Sequence, residues 1–170
     1  MENRAFERAV LEHKDRLHAY ATLMLRDPAE AQDVAQEAMM RLWENRARVQ
    51  PEGAKPWLTR TVHNLCIDRI RKRRVRSEVG DGETVMSQQA DTAASPQQRA
   101  EAVEVSARIL FSLESLAPRD RAVVLLREVQ GMAYDEIAEV LDVPLGTLKA
   151  RLHRARERLR TRLARVGMTP

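Results

Sequence analysis

Aromatic side chains make up only 4% of this 170-residue sequence. A core must therefore come mainly from Leu, Val, Ile, Ala and Met, which suits small packed helices. Cysteine is nearly missing too. The lone Cys66 excludes an internal disulfide framework and fits a reducing compartment. No stretch of about 18 apolar residues occurs, so no membrane-spanning helix is expected. The opening Met1-Glu2-Asn3-Arg4 has no apolar signal-peptide centre. The expectation is a soluble, cytoplasmic chain. The sequence also lacks a Gly-rich phosphate loop, a nucleophile–base–orienter set and paired acids in an apolar setting. His63 and His153 have no metal-ligand spacing to other His or Cys. His13 and His18 lie close along a helix, but nothing completes a site around them. We therefore expect no catalytic residue, no metal and no cofactor.

Charge, by contrast, is plentiful. Charged residues are 32% of the chain, and the net charge is +4. That modest sum hides local extremes. Between Arg69 and Arg76, six of eight residues are Arg or Lys, and Arg151 to Arg165 holds seven Arg against the single acid Glu157. Two basic clusters beside apolar-periodic helices are the electrostatic footprint of a polyanion such as nucleic acid.

The pattern divides the chain into an all-α arrangement of two small helical domains joined by a flexible linker. The first domain covers residues 1–76, the linker 77–97 and the second domain 98–170. The linker holds Gly80, Gly82, Ser87, Gln88, Gln89 and Ser95, with acids Glu78, Asp81, Glu83 and Asp91. In the first domain, Asp27-Pro28-Ala29-Glu30 supplies an N-cap acceptor, a first-turn proline and a Glu able to bond back. Ala31, Val34, Ala35, Ala38 and Leu42 then fall on one stripe. Gly53 and Pro56 punctuate before a further helix through Leu58, Val62 and Leu65. In the second domain Ala117-Pro118 opens a helix and Gly131 closes it.

The stretch from Tyr134 to Arg160 is the most informative. Tyr134 to Leu141 is a short first helix, and Asp142-Val143-Pro144-Leu145-Gly146 is a tight turn in which Asp142 tolerates a left-handed backbone. A second helix follows, with Thr147 as its cap and a buried stripe of Leu148, Leu152, Ala155, Leu159 and Leu163. Ala150, His153 and Arg154 point away from that stripe, flanked by Thr147, Lys149 and Arg151. This is a helix-turn-helix, whose outward residues meet base edges while the flanking ones meet phosphates.

Leu116 to Arg121, Gly131 to Ala138 and Pro144 to Arg156 together resemble region 4 of bacterial sigma factors. Asp27 to Trp43 resembles region 2.2. Lys55-Pro56-Trp57-Leu58 through His63-Asn64-Leu65-Cys66-Ile67-Asp68-Arg69-Ile70-Arg71 resembles regions 2.3 and 2.4. The blocks come in the family's order with a linker between them, and the length points to the compact ECF class. Ala150 and Ala133 depart from it, each standing where the family often has Ser.

The resemblance implies a promoter-specificity subunit rather than an enzyme. Its partners would be the RNA polymerase core (β′ and β subunits), promoter DNA and an anti-sigma factor. The face of Asp33, Gln36, Glu37 and Met40, with Glu44, would dock on the β′ clamp helices. There acids give charge complementarity and Met40 an adaptable apolar contact. Asn64 would sit near a flipped minus-ten base, with Arg69, Arg71, Lys72, Arg73 and Arg74 on phosphates. Thr147, Lys149, Ala150, Arg151, His153 and Arg154 would address the minus-thirty-five element. Trp43 and Trp57 are either core anchors or stacking platforms, and Cys66 is a small buried hydrophobe or a thiol sensor. A stand-alone helix-turn-helix regulator is the alternative. It would leave the acidic face and the Arg69–Arg76 run without a role.

Overall fold

The computed structural model describes residues 1–79 and 106–165, except the side chain of Val79. Every regular element among them is helical. Most of the expected linker, and the start of the second domain, lie outside the described residues.

Helix α1 (Asn3–Leu25) buries Ala9, Leu17, Tyr20, Ala21, Met24 and Leu25 along one side. It ends where Arg26 turns left-handed (φ 57°) and donates its N–H to the Thr22 carbonyl, closing the last turn. Asp27 follows as the N-cap of α2 (Pro28–Glu44), its side chain accepting from the Glu30 N–H at 3.0 Å. Glu30 does not bond back to the cap. Its carboxylate instead takes a hydrogen bond from Arg73 at 2.6 Å, so a cross-helix contact replaces the expected capping box. Ala31, Val34, Ala35, Ala38 and Leu42 are all buried, as their spacing predicts.

A short 3-10 turn (Pro51–Gly53) leads into α3 (Ala54–Val79). Pro56 stands in the first turn of α3 and not ahead of it, a position where a missing N–H costs no helical bond. The basic run stays helical through Val79, three residues beyond the expected boundary at 76. Helices α1, α2 and α3 pack pairwise on one another.

The second half begins with helical residues 106–114, here α4. Helix α5 (Pro118–Val124) continues as a π turn (Leu125–Val129), and Gly131 reverses the chain at φ 65°. Helix α6 (Tyr134–Leu141) and helix α7 (Leu145–Arg165) complete it. Asp142 is left-handed (φ 52°, ψ 54°), as the turn requires. Glu136 accepts from the Ala133 N–H at 2.7 Å, one half of a capping box. Alanine at 133 has no oxygen to supply the other half. Leu145 opens α7, so Thr147 lies within its first turn; this corrects its expected place at the cap. Leu148, Leu152 and Ala155 are buried, whereas Leu159 and Leu163 are half-buried where the helix extends along the edge.

The two halves are in contact. Helix α6 and α5 meet α3, and α1 meets α5 and the π turn, so one continuous apolar cluster runs from Ala9 to Ala155. Fully burying each of its Leu side chains contributes about 1.5–3 kcal/mol.

Candidate nucleic-acid and partner interfaces

The outer side of α2 has a defined chemistry. Asp33, Gln36 and Glu44 are exposed, and Met40 is 64% exposed, unusual for a thioether without a partner. Glu37 is half-buried because it is tied twice. Its Oε1 accepts from Arg41 at 2.6 Å, and Arg69 of α3 approaches Oε2 at 3.7 Å. One turn on, Trp43 is 39% exposed, so it is not an enclosed core anchor. Phe6 meets its ring edge-on at 5.0 Å, and the Arg46 guanidinium lies 3.9 Å over it. Trp57, by contrast, is half-buried against the core.

The basic run of α3 divides by function of position. The Arg73 guanidinium donates to the Leu25 carbonyl at 2.8 Å and to Glu30 at 2.6 Å, with Asp27 3.6 Å away. It fastens α3 to the α1–α2 corner. Arg69 faces Glu37, and these two arginines share a groove with Arg41, Lys72 and Arg76. Arg71, Lys72 and Arg74 are exposed. Arg71 and Arg74 make only short-range surface pairs, with Asp68 at 3.5 Å and Glu78 at 3.1 Å. Such pairs contribute about 0.3–0.5 kcal/mol and yield readily to a phosphate.

Ahead of this run α3 holds one member of a buried polar pair. Tyr20 Oη and His63 Nδ1 share a hydrogen bond of 3.0 Å. Burial, helped by the charge of Arg119, pushes the His63 imidazole down to about 4. Burial raises the Tyr20 hydroxyl well above its ordinary value, with Cys66 adding to it. Cys66 is fully buried, and burial, then Glu30, push its thiol up to about 12. A thiol held protonated is a poor nucleophile, which favours the buried hydrophobe over the sensor.

On α7, Thr147, Lys149, Ala150, His153 and Arg154 are all exposed, as the helical spacing predicts. Arg151 differs. It is 19% exposed and turns toward Asp120 of α5 at 3.8 Å. Asp120 also takes a hydrogen bond from Arg158 at 3.2 Å, and Glu128 takes one from Arg156 at 3.0 Å. These pairs tie α7 to α5 and to the π turn and leave the outward row of α7 open.

The structure also brings together residues that the sequence keeps apart. His63, Asn64, Ile67, Asp68 and Arg71 of α3 face Arg119, Leu141, Asp142, Val143 and Arg151 across a cleft of about 530 Å³. Asn64 and Arg71 therefore look onto the α6–α7 turn. The sequence marks Asp142 only as a turn residue and gives Arg119 no role of its own, because no local pattern marks a contact of such long range. No helix among the described residues is long and apolar enough to cross a membrane. No group of three or more His, Cys, Asp or Glu among them is placed to hold a metal ion.

Comparison with known proteins agrees with this layout. Residues 9–76 match the model for Sigma-70 region 2, and residues 106–159 match that for Sigma-70, region 4. The chain is 34% identical over 166 residues to the ECF RNA polymerase sigma factor SigW of Bacillus subtilis, covering 94% of this chain and 89% of that protein. It is 32% identical over 164 residues to the ECF RNA polymerase sigma factor SigE of Mycolicibacterium smegmatis, covering 95% of this chain but 62% of the relative. Among solved structures, the sigma factor RpoE in complex with the anti-sigma factor NepR from Bartonella quintana shares the fold. Its TM-score is 0.75 at 24% identity, over 94% of this chain and 96% of that one. CnrH in complex with the cytosolic domain of CnrY gives a TM-score of 0.71 at 24% identity, over 96% of this chain and 90% of that one. With both regions matched in order and relatives aligned along nearly its whole length, the chain belongs to the ECF family of RNA polymerase sigma factors.

Proposed function

We propose that this protein carries RNA polymerase core to specific promoters and opens them there, acting in the cytoplasm as an initiation subunit with no catalysis of its own. The observation that carries this reading is the coexistence, in one chain, of a region 2 bundle with an exposed acidic face and a region 4 helix-turn-helix with an exposed basic row. A stand-alone DNA regulator needs only the second.

Asp33, Gln36, Glu37 and Met40 form the core-docking face, with charge steering the encounter and Met40 adapting to the partner's apolar surface. Asn64, with both a donor and an acceptor on its amide, reads a base of the minus-ten strand. Arg71, Lys72 and Arg74, the exposed members of the basic run, neutralise phosphates, and Arg69 joins them when it leaves Glu37. On α7, His153 and Arg154 face base edges while Thr147 and Lys149 position the helix on the backbone. Ala150 offers a methyl group for apolar contact in place of a hydroxyl. An anti-sigma partner would act by covering these surfaces.

Reconstitution tests the reading. Purified chain mixed with sigma-free core should support initiation from a subset of a genomic promoter library. Tight duplex binding by the chain alone, without initiation from any library member, would overturn it.

A further inference from the structure

We infer that Asp120 is a specificity-determining residue of the α7 reader: its carboxylate holds the Arg151 guanidinium off the DNA backbone, so that binding runs through the side chains that face base edges. The inference rests on the function proposed above. At about 3.6 residues per turn, Arg151, Arg154 and Arg158 lie along one edge of α7, at spacings of three and four residues. An edge of three arginines suits a run of phosphates, which hold a protein on DNA without reading its sequence. The structure breaks that edge. Arg154 is exposed, whereas Arg151 and Arg158 both turn to Asp120 of α5.

Burial separates this contact from the surface pairs elsewhere. Arg151 Nε stands 3.8 Å from one Asp120 oxygen, and Arg158 Nη1 donates to the other at 3.2 Å. The side chains of Arg151 and Asp120 are only 19% and 20% exposed. Arg71 and Asp68, at a similar 3.5 Å, are 68% and 57% exposed. Water and salt screen the exposed pair strongly and the enclosed one much less. A phosphate can take Arg71 at little cost, whereas taking Arg151 would strip a largely enclosed carboxylate of one of its two cations. Arg158 is 60% exposed, so it reaches solvent even while paired. On the other flank of α7, Glu128 of the π turn takes Arg156 at 3.0 Å. Lys149, Ala150, His153 and Arg154 are left facing outward between the flanks. In a specific complex base contacts fix where α7 sits, so a further arginine gains only a phosphate already within its reach. On random DNA the helix can shift until that phosphate is met. Withholding Arg151 therefore lowers non-specific affinity more than specific affinity.

The test uses the full-length chain, with binding to a random duplex followed by fluorescence anisotropy between about 0.05 and 0.2 M salt. One further phosphate contact steepens the salt slope by about 0.9 and is worth about fivefold in affinity at about 0.15 M salt. Asp120→Asn should show that gain on random duplex. It should show less on a duplex carrying the minus-thirty-five element of a promoter the protein initiates, so discrimination falls. The gain should vanish when Arg151→Gln is added and persist when Arg158→Gln is added. Asp120→Glu, which keeps the carboxylate, should retain the wild-type slope. A gain that survives Arg151→Gln would reduce the effect to the loss of one negative charge and overturn the assignment. So would weaker binding at an unchanged slope, the result expected of an acid that only braces α7. A wild type with no preference for the minus-thirty-five duplex would instead overturn the function proposed for α7, and the slopes on random DNA would still decide the role of Asp120.

Discussion

Replacing His63 by glutamine removes one titrating group from the seam between the halves and keeps a polar partner for Tyr20. In the folded chain His63 is buried beside Arg119, and its imidazole sits at about 4 against an ordinary 6.5. The unfolded chain therefore binds a proton on His63 between those two values, and the folded chain does not. Stability contributed by the neutral ring is fully present above about pH 6.5 and is lost as pH falls toward 4. Each pKa unit is worth about 1.4 kcal/mol. The loss should thus reach about 2 kcal/mol at pH 5 and about 3 kcal/mol at pH 4, relative to pH 7. Carboxylates titrate in the same window, so the wild type alone cannot isolate this effect. The quantity to measure is the difference between wild type and His63→Gln, by urea unfolding followed by circular dichroism at pH 7, 6, 5 and 4. The glutamine variant should be less sensitive to acid by those amounts. Parallel pH profiles for the two proteins, or an NMR titration placing His63 near 6.5, would refute the reasoning.

Asp33→Arg combined with Glu37→Arg should weaken core binding at least about tenfold by placing like charge where complementarity is needed, with duplex binding retained; native-gel or calorimetric titration with core measures it. Arg154→Ala should cut discrimination at one position of the minus-thirty-five element by about 1–3 kcal/mol in competition binding. Arg71→Ala should instead weaken binding across all sequences and reduce the salt slope by about one. Cys66 should react with a thiol reagent at pH 8 no faster than the chain unfolds, since burial holds the thiol protonated up to about 12.

Much of this protein was legible in one dimension. Helical period placed Ala31, Val34, Ala35, Ala38 and Leu42 inside and Lys149, Ala150, His153 and Arg154 outside, because burial on a helix follows from angle alone. The caps at Asp27 and the left-handed turn at Asp142 are likewise local choices of backbone chemistry. Tertiary structure decided how the charges were used. Within one run of similar residues, Arg73 became a fastener while Arg71 stayed at the surface, paired only with nearby Asp68. Arg151 turned inward to Asp120, and Trp43 remained half in solvent under Arg46. A guanidinium looks the same in sequence whether it meets a carbonyl, a carboxylate or water. The cleft between Asn64 and the α6–α7 turn was invisible for the same reason: residues some eighty positions apart meet there. Helical period set which side chains each helix turns outward. Only packing between the halves brought Asn64 opposite the α6–α7 turn, through contacts such as Arg60 of α3 on the Val140 carbonyl of α6 that belong to no motif.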